Sequence, residues 1–283
     1  MKTLASMSEI VRVGGWALRG AGFPFGVAER GTRLLAFTEA VHGGAVRDVC
    51  AHEVIIAGAA ALKPIGHLRR ADGGWELDGG ERHLIEAGPP LADLATSDAR
   101  LRGEGHARLS HVAGFVFVTA LADLLARRGL TGLCIYGADA ASRLPSGVAR
   151  SGWTLFGRRG NRPVFATGAA DAPLMREVEE ILDGTVFGPA VSADLAKIST
   201  PGEGYLAVVA LRSGHETGNR LLAVLDRPEA AAALRDYADR VAASYRDGVP
   251  MEAQDLRDLY DLEIRTWAPT SERSRSQAGY GKF

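Results

Sequence analysis

Apolar side chains recur at helical spacing from the start of the chain. Ile10, Val13 and Ala17 share one face with Val11 and Leu18 beside them, and Ser8 stands before them as a cap. The spacing predicts a helix over 8–19. Gly20-Ala21-Gly22-Phe23-Pro24 interrupts it, and Pro24 suits the first position of a second helix running to Val41, with Val27, Leu34, Leu35 and Val41 inward. Two helices about a tight Gly/Pro joint read as a helical hairpin.

Glycine then punctuates the text. Trp75-Glu76-Leu77 and His83-Leu84-Ile85 alternate around Asp78-Gly79-Gly80, which predicts a β-hairpin. Val112, Phe115, Val116, Ala120 and Leu124 form one stripe of a helix over 107–128. Arg127 and Arg128 suit its C-terminal end, and Gly129 its C′ position. Leu133–Tyr136 reads as a buried strand after a short joint, which is α/β grammar. Trp153–Phe156 and Pro163–Ala166 flank the turn-rich Gly157–Asn161 as another hairpin, and 173–183 reads as a short acidic helix that Asp171 would cap. Tyr205–Leu211 and Leu221–Leu225 read as antiparallel strands, followed by helices from Pro228 to about Arg246 and from Pro250 toward Glu263. The expectation is an α/β fold. It has a mixed sheet, an N-terminal helical hairpin and a C-terminal strand-helix-helix section, and it is not a standard Rossmann fold. Residues 1–283 form a single compact unit with a central lobe over 101–227.

Composition narrows the classes. The chain has 283 residues, of which 46% are apolar, enough for a sizeable core. Thirty-three basic against 34 acidic side chains leave a formal charge of −1, which argues against uniform steering onto nucleic acid or a membrane surface. The longest apolar stretch, Val112–Ala122, is shorter than the about 20 residues a spanning helix needs. Cys50 and Cys134 stand singly in apolar text, with no disulfide framework and no metal-ligand spacing, so no metal is expected. The first residues lack the apolar core of a signal peptide, and a cytoplasmic location is expected.

Thirty-five glycines invite a nucleotide reading. Gly20-x-Gly22-x-x-x-Gly26 lies between two helices without a preceding strand, which the dinucleotide fingerprint requires. His52-Glu53 lacks the second histidine of a metalloprotease motif. Two readings of local chemistry have more content. His42 precedes Gly43-Gly44 at the end of the second helix, where an accessible imidazole can act as acid or base. From Ala140 to Ala170 the charged residues are Arg143, Arg150, Arg158, Arg159 and Arg162, without a local acid. They either line an anion pocket or pair with the acidic helix of Glu177, Glu179, Glu180 and Asp183. The segment Arg265–Phe283 has the composition of a tail, yet Trp267 and Tyr280 give it something to bury. Docked, it would bring Ser271, Glu272, Ser274 and Arg275 against the body, with Glu272 as an acid/base group. Both readings stay open.

Arg19-Gly-Ala-Gly-Phe-Pro-Phe-Gly-Val-Ala-Glu29 and Arg265–Gly281, with its Arg-Thr-Trp-Ala-Pro-Thr-Ser-Glu-Arg-Ser-Arg run, resemble the two ends of an uncharacterised bacterial domain family. That family brings no activity with it. In outline the chain is also similar to malate/L-lactate/sulfolactate-type dehydrogenases. Those enzymes open on a helical hairpin around Ala-Gly-x-Pro and reach a Ser-His-Gly whose histidine is catalytic. Arg19–Glu29, His42-Gly43, 107–136, 204–246 and Ser271-Glu272-Arg273 follow in the same order. No serine precedes His42, and Gly137-Ala-Asp-Ala stands where those enzymes carry Asn-His-Phe-Gly. The resemblance implies the architecture and, with it, a small-molecule enzyme for an anionic keto or imino acid. NAD or NADP would be the cofactor, His42 the acid/base group, and Arg143, Arg158, Arg265 and Arg275 the anion holders. The other readings are a non-catalytic subunit that has lost a cofactor site, binding a partner enzyme or a second copy, and a cofactor-free hydrolase or lyase.

Overall fold

The computed structural model of the protein describes residues 1–51, 68–71, 74–138, 144, 149–169, 173–183, 185–198, 202, 204–227, 234–235 and 237–264. In chain order the elements are β1 (Lys2–Ala5), α1 (Met7–Gly20), α2 (Phe25–His42), α3 (Ala45–Ala51), β2 (Arg69–Ala71), β3 (Gly74–His83), α4 (Leu84–Arg102), β4 (Glu104–Ala113), a 3₁₀ turn (Phe115–Phe117), α5 (Val118–Arg127), β5 (Leu130–Gly137), β6 (Ser151–Arg159) and β7 (Arg162–Ala169). There follow α6 (Pro173–Asp183), α7 (Gly188–Ile198), β8 (Tyr205–Arg212), α8 (Glu216–Val224), β9 (Leu234–Arg235), α9 (Tyr237–Asp247), β10 (Val249–Glu252) and α10 (Ala253–Ile264).

An eight-stranded sheet in the order β2-β3-β4-β8-β5-β6-β7-β9 divides the core. β3 and β4 run parallel and every other neighbouring pair is antiparallel, so the sheet is mixed. Side chains alternate across it. Leu206, Val208 and Ala210 of β8 join a core with α1, α2, α4 and α5. Tyr205, Ala207, Val209 and Leu211 join a second core with α6, α7 and α8. A strand buried on both faces reads as a continuous apolar run, which is how 205–211 reads. The result is an α/β fold with helices on both faces, opened by the helical hairpin α1–α2 and without the Rossmann strand order. β1 pairs antiparallel with β10 in a separate ribbon that ties the first residues to the C-terminal section. Among the described residues no helix is long and apolar enough to cross a membrane.

Several sequence expectations are corrected. Ser6, not Ser8, caps α1: its hydroxyl accepts from the Glu9 N–H while Glu9 reaches back to the Ser6 N–H. Asp78-Gly79-Gly80 is not a hairpin tip. It is a bulge inside β3, where the pairing with β4 jumps from Asp78↔Ser110 to Arg82↔Val112. The helix over 107–128 begins only at Val118, and its first half is strand β4, ended by Gly114 in a left-handed conformation at φ 86°. Leu221–Leu225 is not a strand, because 216–224 is helix α8. Pro250 lies in β10, and the last helix starts at Ala253. The hairpin of β6 and β7, the strands β5 and β8 and the helix at 173–183 form as the pattern predicts.

Candidate functional site

His42 is the last residue of α2. The helix stops there because Gly43 takes φ 71° and Gly44 φ 73°, left-handed values that a side chain rarely adopts. Glu39 fixes this turn from beneath. One carboxylate oxygen accepts from the Gly44 N–H at 3.1 Å and the other from the Val46 N–H at 2.9 Å. Glu39 is buried, and burial pushes its carboxyl above the ordinary range, while those backbone donors pull the other way and the charge of Asp255 adds to the rise.

Two clefts share His42 as a wall. One, of about 420 Å³, is charged, with Glu39, Arg47, Asp48 and Asp255 around Gly43 and Gly44. Its arginine is already matched, since Arg47 holds Asp255 through two bonds of 3.1 and 2.9 Å. Asp48 accepts from the buried His83, whose Nδ1 takes the Ile85 N–H, so Nε2 carries the proton given to the carboxylate at 3.0 Å. This pair ties α3 to the start of α4.

The second cleft, of about 430 Å³, is aromatic and hydroxyl-lined. It lies beside Tyr136, near the carboxyl end of β5. Register builds it: Thr154 of β6 faces Thr167 of β7, and Tyr136 of β5 faces Gly152 of β6. Gly152 leaves the space for that phenol, because a Cβ there would come within 3.1 Å of the Tyr136 oxygen. The His42 Nε2 lies 3.1 Å from the Thr119 hydroxyl at the start of α5, and its ring stands edge-on to Tyr237 at 5.2 Å. Arg240, one turn beyond Tyr237 on α9, lines the same cleft and donates to the Val41 carbonyl at 2.8 Å. Burial, and then the neighbouring Tyr237, push the Tyr136 hydroxyl up to about 12, so it keeps its proton as a donor.

Of the residues expected from sequence, His42 lies in this cleft. Arg158 lines a different cleft, at the far end of β6, with Arg212. Arg143, Arg265, Ser271, Glu272, Ser274 and Arg275 lie outside the described residues. Among the described residues, Arg159 pairs with Asp226, and Arg162 with Asp239 at 2.8 Å, rather than with the acidic helix. Tyr136, Tyr237 and Arg240 were not foreseen. The first stands at the carboxyl end of a buried strand, a position with a physical rationale. The other two reach His42 only through tertiary packing. His106 and His111 sit on β4; His106 bonds Asp194 at 2.8 Å and His111 bonds Asp78 at 2.9 Å. Among the described residues no group of three or more His, Cys, Asp or Glu could hold a metal.

No protein-family model matches the sequence, and no curated protein matches it. Solved structures do match the fold. The chain is similar to malate dehydrogenase from Pyrococcus horikoshii OT3, with a TM-score of 0.64 and 12% identity over 95% of this chain and 97% of that one. It is similar to sulfolactate dehydrogenase from Methanocaldococcus jannaschii, with a TM-score of 0.65 and 11% identity over 93% and 97%. A delta1-piperideine-2-carboxylate reductase from Pseudomonas syringae pvar. tomato gives a TM-score of 0.60 and 14% identity over 92% and 99%. The likeness is one of fold, it extends over nearly the whole of each chain, and it agrees with the outline similarity read from the sequence.

Proposed function

We propose that the protein is a reductase-like enzyme for a small 2-keto or cyclic imino acid, with His42 as the proton donor. The observation that carries this reading is that His42, Tyr136 and Arg240 line one cleft. Arg240 makes no ion pair among the described residues, so its guanidinium is available to a substrate carboxylate. A 2-keto or cyclic imino acid anchored there would turn its carbonyl oxygen or imine nitrogen toward His42 and the Tyr136 hydroxyl. The fold neighbours named for malate, sulfolactate and piperideine-carboxylate chemistry support an anionic substrate of this class.

The residues present suit a nicotinamide ring. Tyr136, stacked on Phe115, offers one aromatic wall, and the hydroxyls of Thr119, Thr154 and Thr167 could bond its carboxamide. Reduced nicotinamide, when bound, supplies a hydride to the substrate carbon. His42 then gives its proton to the oxygen or nitrogen that gains the electron pair, and regains one from solvent. Thr119 and the edge contact with Tyr237 hold the imidazole for that transfer. Oxidation of NADH and NADPH with a panel of 2-keto acids and cyclic imines tests the reading. Arg240→Gln should raise KM and lower kcat/KM by roughly 10- to 100-fold, the worth of one charge-assisted bond. An unchanged KM would remove Arg240 from the substrate site.

A further inference from the structure

A second cleft of about 300 Å³ lies at the opposite end of the central strands. β5 starts there with Leu130 and Thr131, β6 reaches it with Arg158, one residue before its end, and β8 ends there with Arg212. Arg158 stands four positions along β6 from Thr154 of the His42 cleft, roughly 13 Å at the rise of an extended strand. The turns that close this cleft pass through Gly129, Gly160 and Gly214, at φ 82°, 60° and 81°. Each opens onto space, with no atom within 4 Å of the position a Cβ would take.

The charges here differ from those on the rest of the hairpin. Arg159 and Arg162 are neutralised by Asp226 and Asp239. Arg158 instead donates one bond to the Asn161 side-chain oxygen at 2.9 Å, and its Nε is buried with no acceptor among the described residues. Arg212, exposed at the end of β8, makes no ion pair among the described residues. Beyond its bond to Asn161 the Arg158 guanidinium has no ion-pair partner among the described residues, and with Arg212 it puts two unmatched positive charges on one cleft. Thr131, Ser213 and Asn219 add uncharged polar groups around the same space.

We propose that this cleft binds the phosphate group of a small phosphorylated molecule, as a site separate from His42. A carboxylate would be satisfied by one guanidinium and leave the other charge unmatched. A phosphate dianion balances two arginines and offers acceptors to the hydroxyl and amide groups on its remaining sides. The proposal is independent of the reductase reading, because no residue of the His42 cleft enters it.

Calorimetric titration of the full chain with inorganic phosphate, at constant ionic strength, tests it. The wild type should bind saturably at one site. Arg158→Gln and Arg212→Gln should each weaken binding at least tenfold, and the double variant should abolish it. Arg240→Gln should bind phosphate as the wild type does. Arg212 is exposed at a strand end, so Arg212→Gln alone decides the matter if Arg158→Gln fails to fold. Binding that persists within twofold in Arg212→Gln, a titration that does not saturate, or acetate binding as tightly as phosphate would each overturn the proposal.

Discussion

Glu39 sits on the opposing side of its own burial. Its two oxygens take the Gly44 and Val46 N–H groups that shape the turn after His42, yet burial raises its pKa above the ordinary 4.5. The folded chain therefore keeps this proton in a pH range where the unfolded chain has lost it. Stability contributed by Glu39 is present below 4.5 and is lost as pH rises through the raised value. Glu39→Gln should flatten that part of the slope in urea melts between pH 4 and 7. Leaving one backbone donor unmatched should also lower stability by about 1–3 kcal/mol. Equal slopes in the two proteins would mean that Glu39 does not titrate in that range. At this scale the sequence showed where His42 stands, at a helix end before two glycines, and the structure ends α2 there. The sequence was silent about Tyr237 and Arg240, whose place beside His42 depends on how α9 packs against α2.

Among elements, β4 is the instructive one. Val112, Phe115 and Val116 fit a helical stripe, but they are divided between a strand and a 3₁₀ turn. An apolar run buried on all sides carries no usable period, whereas α8 looks like a strand because Leu221–Leu225 is too short an apolar run to show one. The deciding residue is Gly114. It holds φ 86°, and a Cβ there would stand 2.4 Å from the His83 ring. Gly114→Ala should cost about 2–5 kcal/mol, from left-handed strain plus overpacking against His83, as measured by denaturant unfolding. A loss below 1 kcal/mol would show that the β4–α5 corner relaxes freely.

Helix α7 docks in a different way. Asp194 projects into the second face of the sheet and meets His106 at 2.8 Å, Arg108 at 2.7 Å and the Tyr205 hydroxyl at 2.5 Å. Burial, with Asp194 beside it, pushes the Tyr205 phenol well above its usual range, which keeps it a donor. Asp194→Ala strands buried donors from two strands, and should destabilise the fold by about 3–5 kcal/mol. Asp194→Asn, which keeps one acceptor, should lose less. Equal losses for the two would argue that helix packing, rather than this network, holds α7. No periodicity announces such a contact, since Asp194 and His106 are far apart in sequence and meet only when the sheet forms.

Over the whole molecule, the alternation of helix and strand, the helical hairpin and the mixed sheet were legible from hydrophobic spacing and glycine position. Strand order was not, because β8 inserts between β4 and β5 through pairings that no local pattern encodes. The central strands carry a cleft at each end, lined by His42 and Tyr136 at one and by Arg158 and Arg212 at the other. The central claim concerns the first end, and its most direct test is NADH and NADPH oxidation by wild-type protein and His42→Asn across 2-keto acids and cyclic imines, with the fold of both checked by circular dichroism. Turnover of at least one such substrate by the wild type is expected, with a fall in kcat/KM of about 10²–10⁴ in the variant, the usual worth of a positioned acid. Turnover undiminished in His42→Asn, or none by the wild type with any substrate of the panel, would contradict that claim.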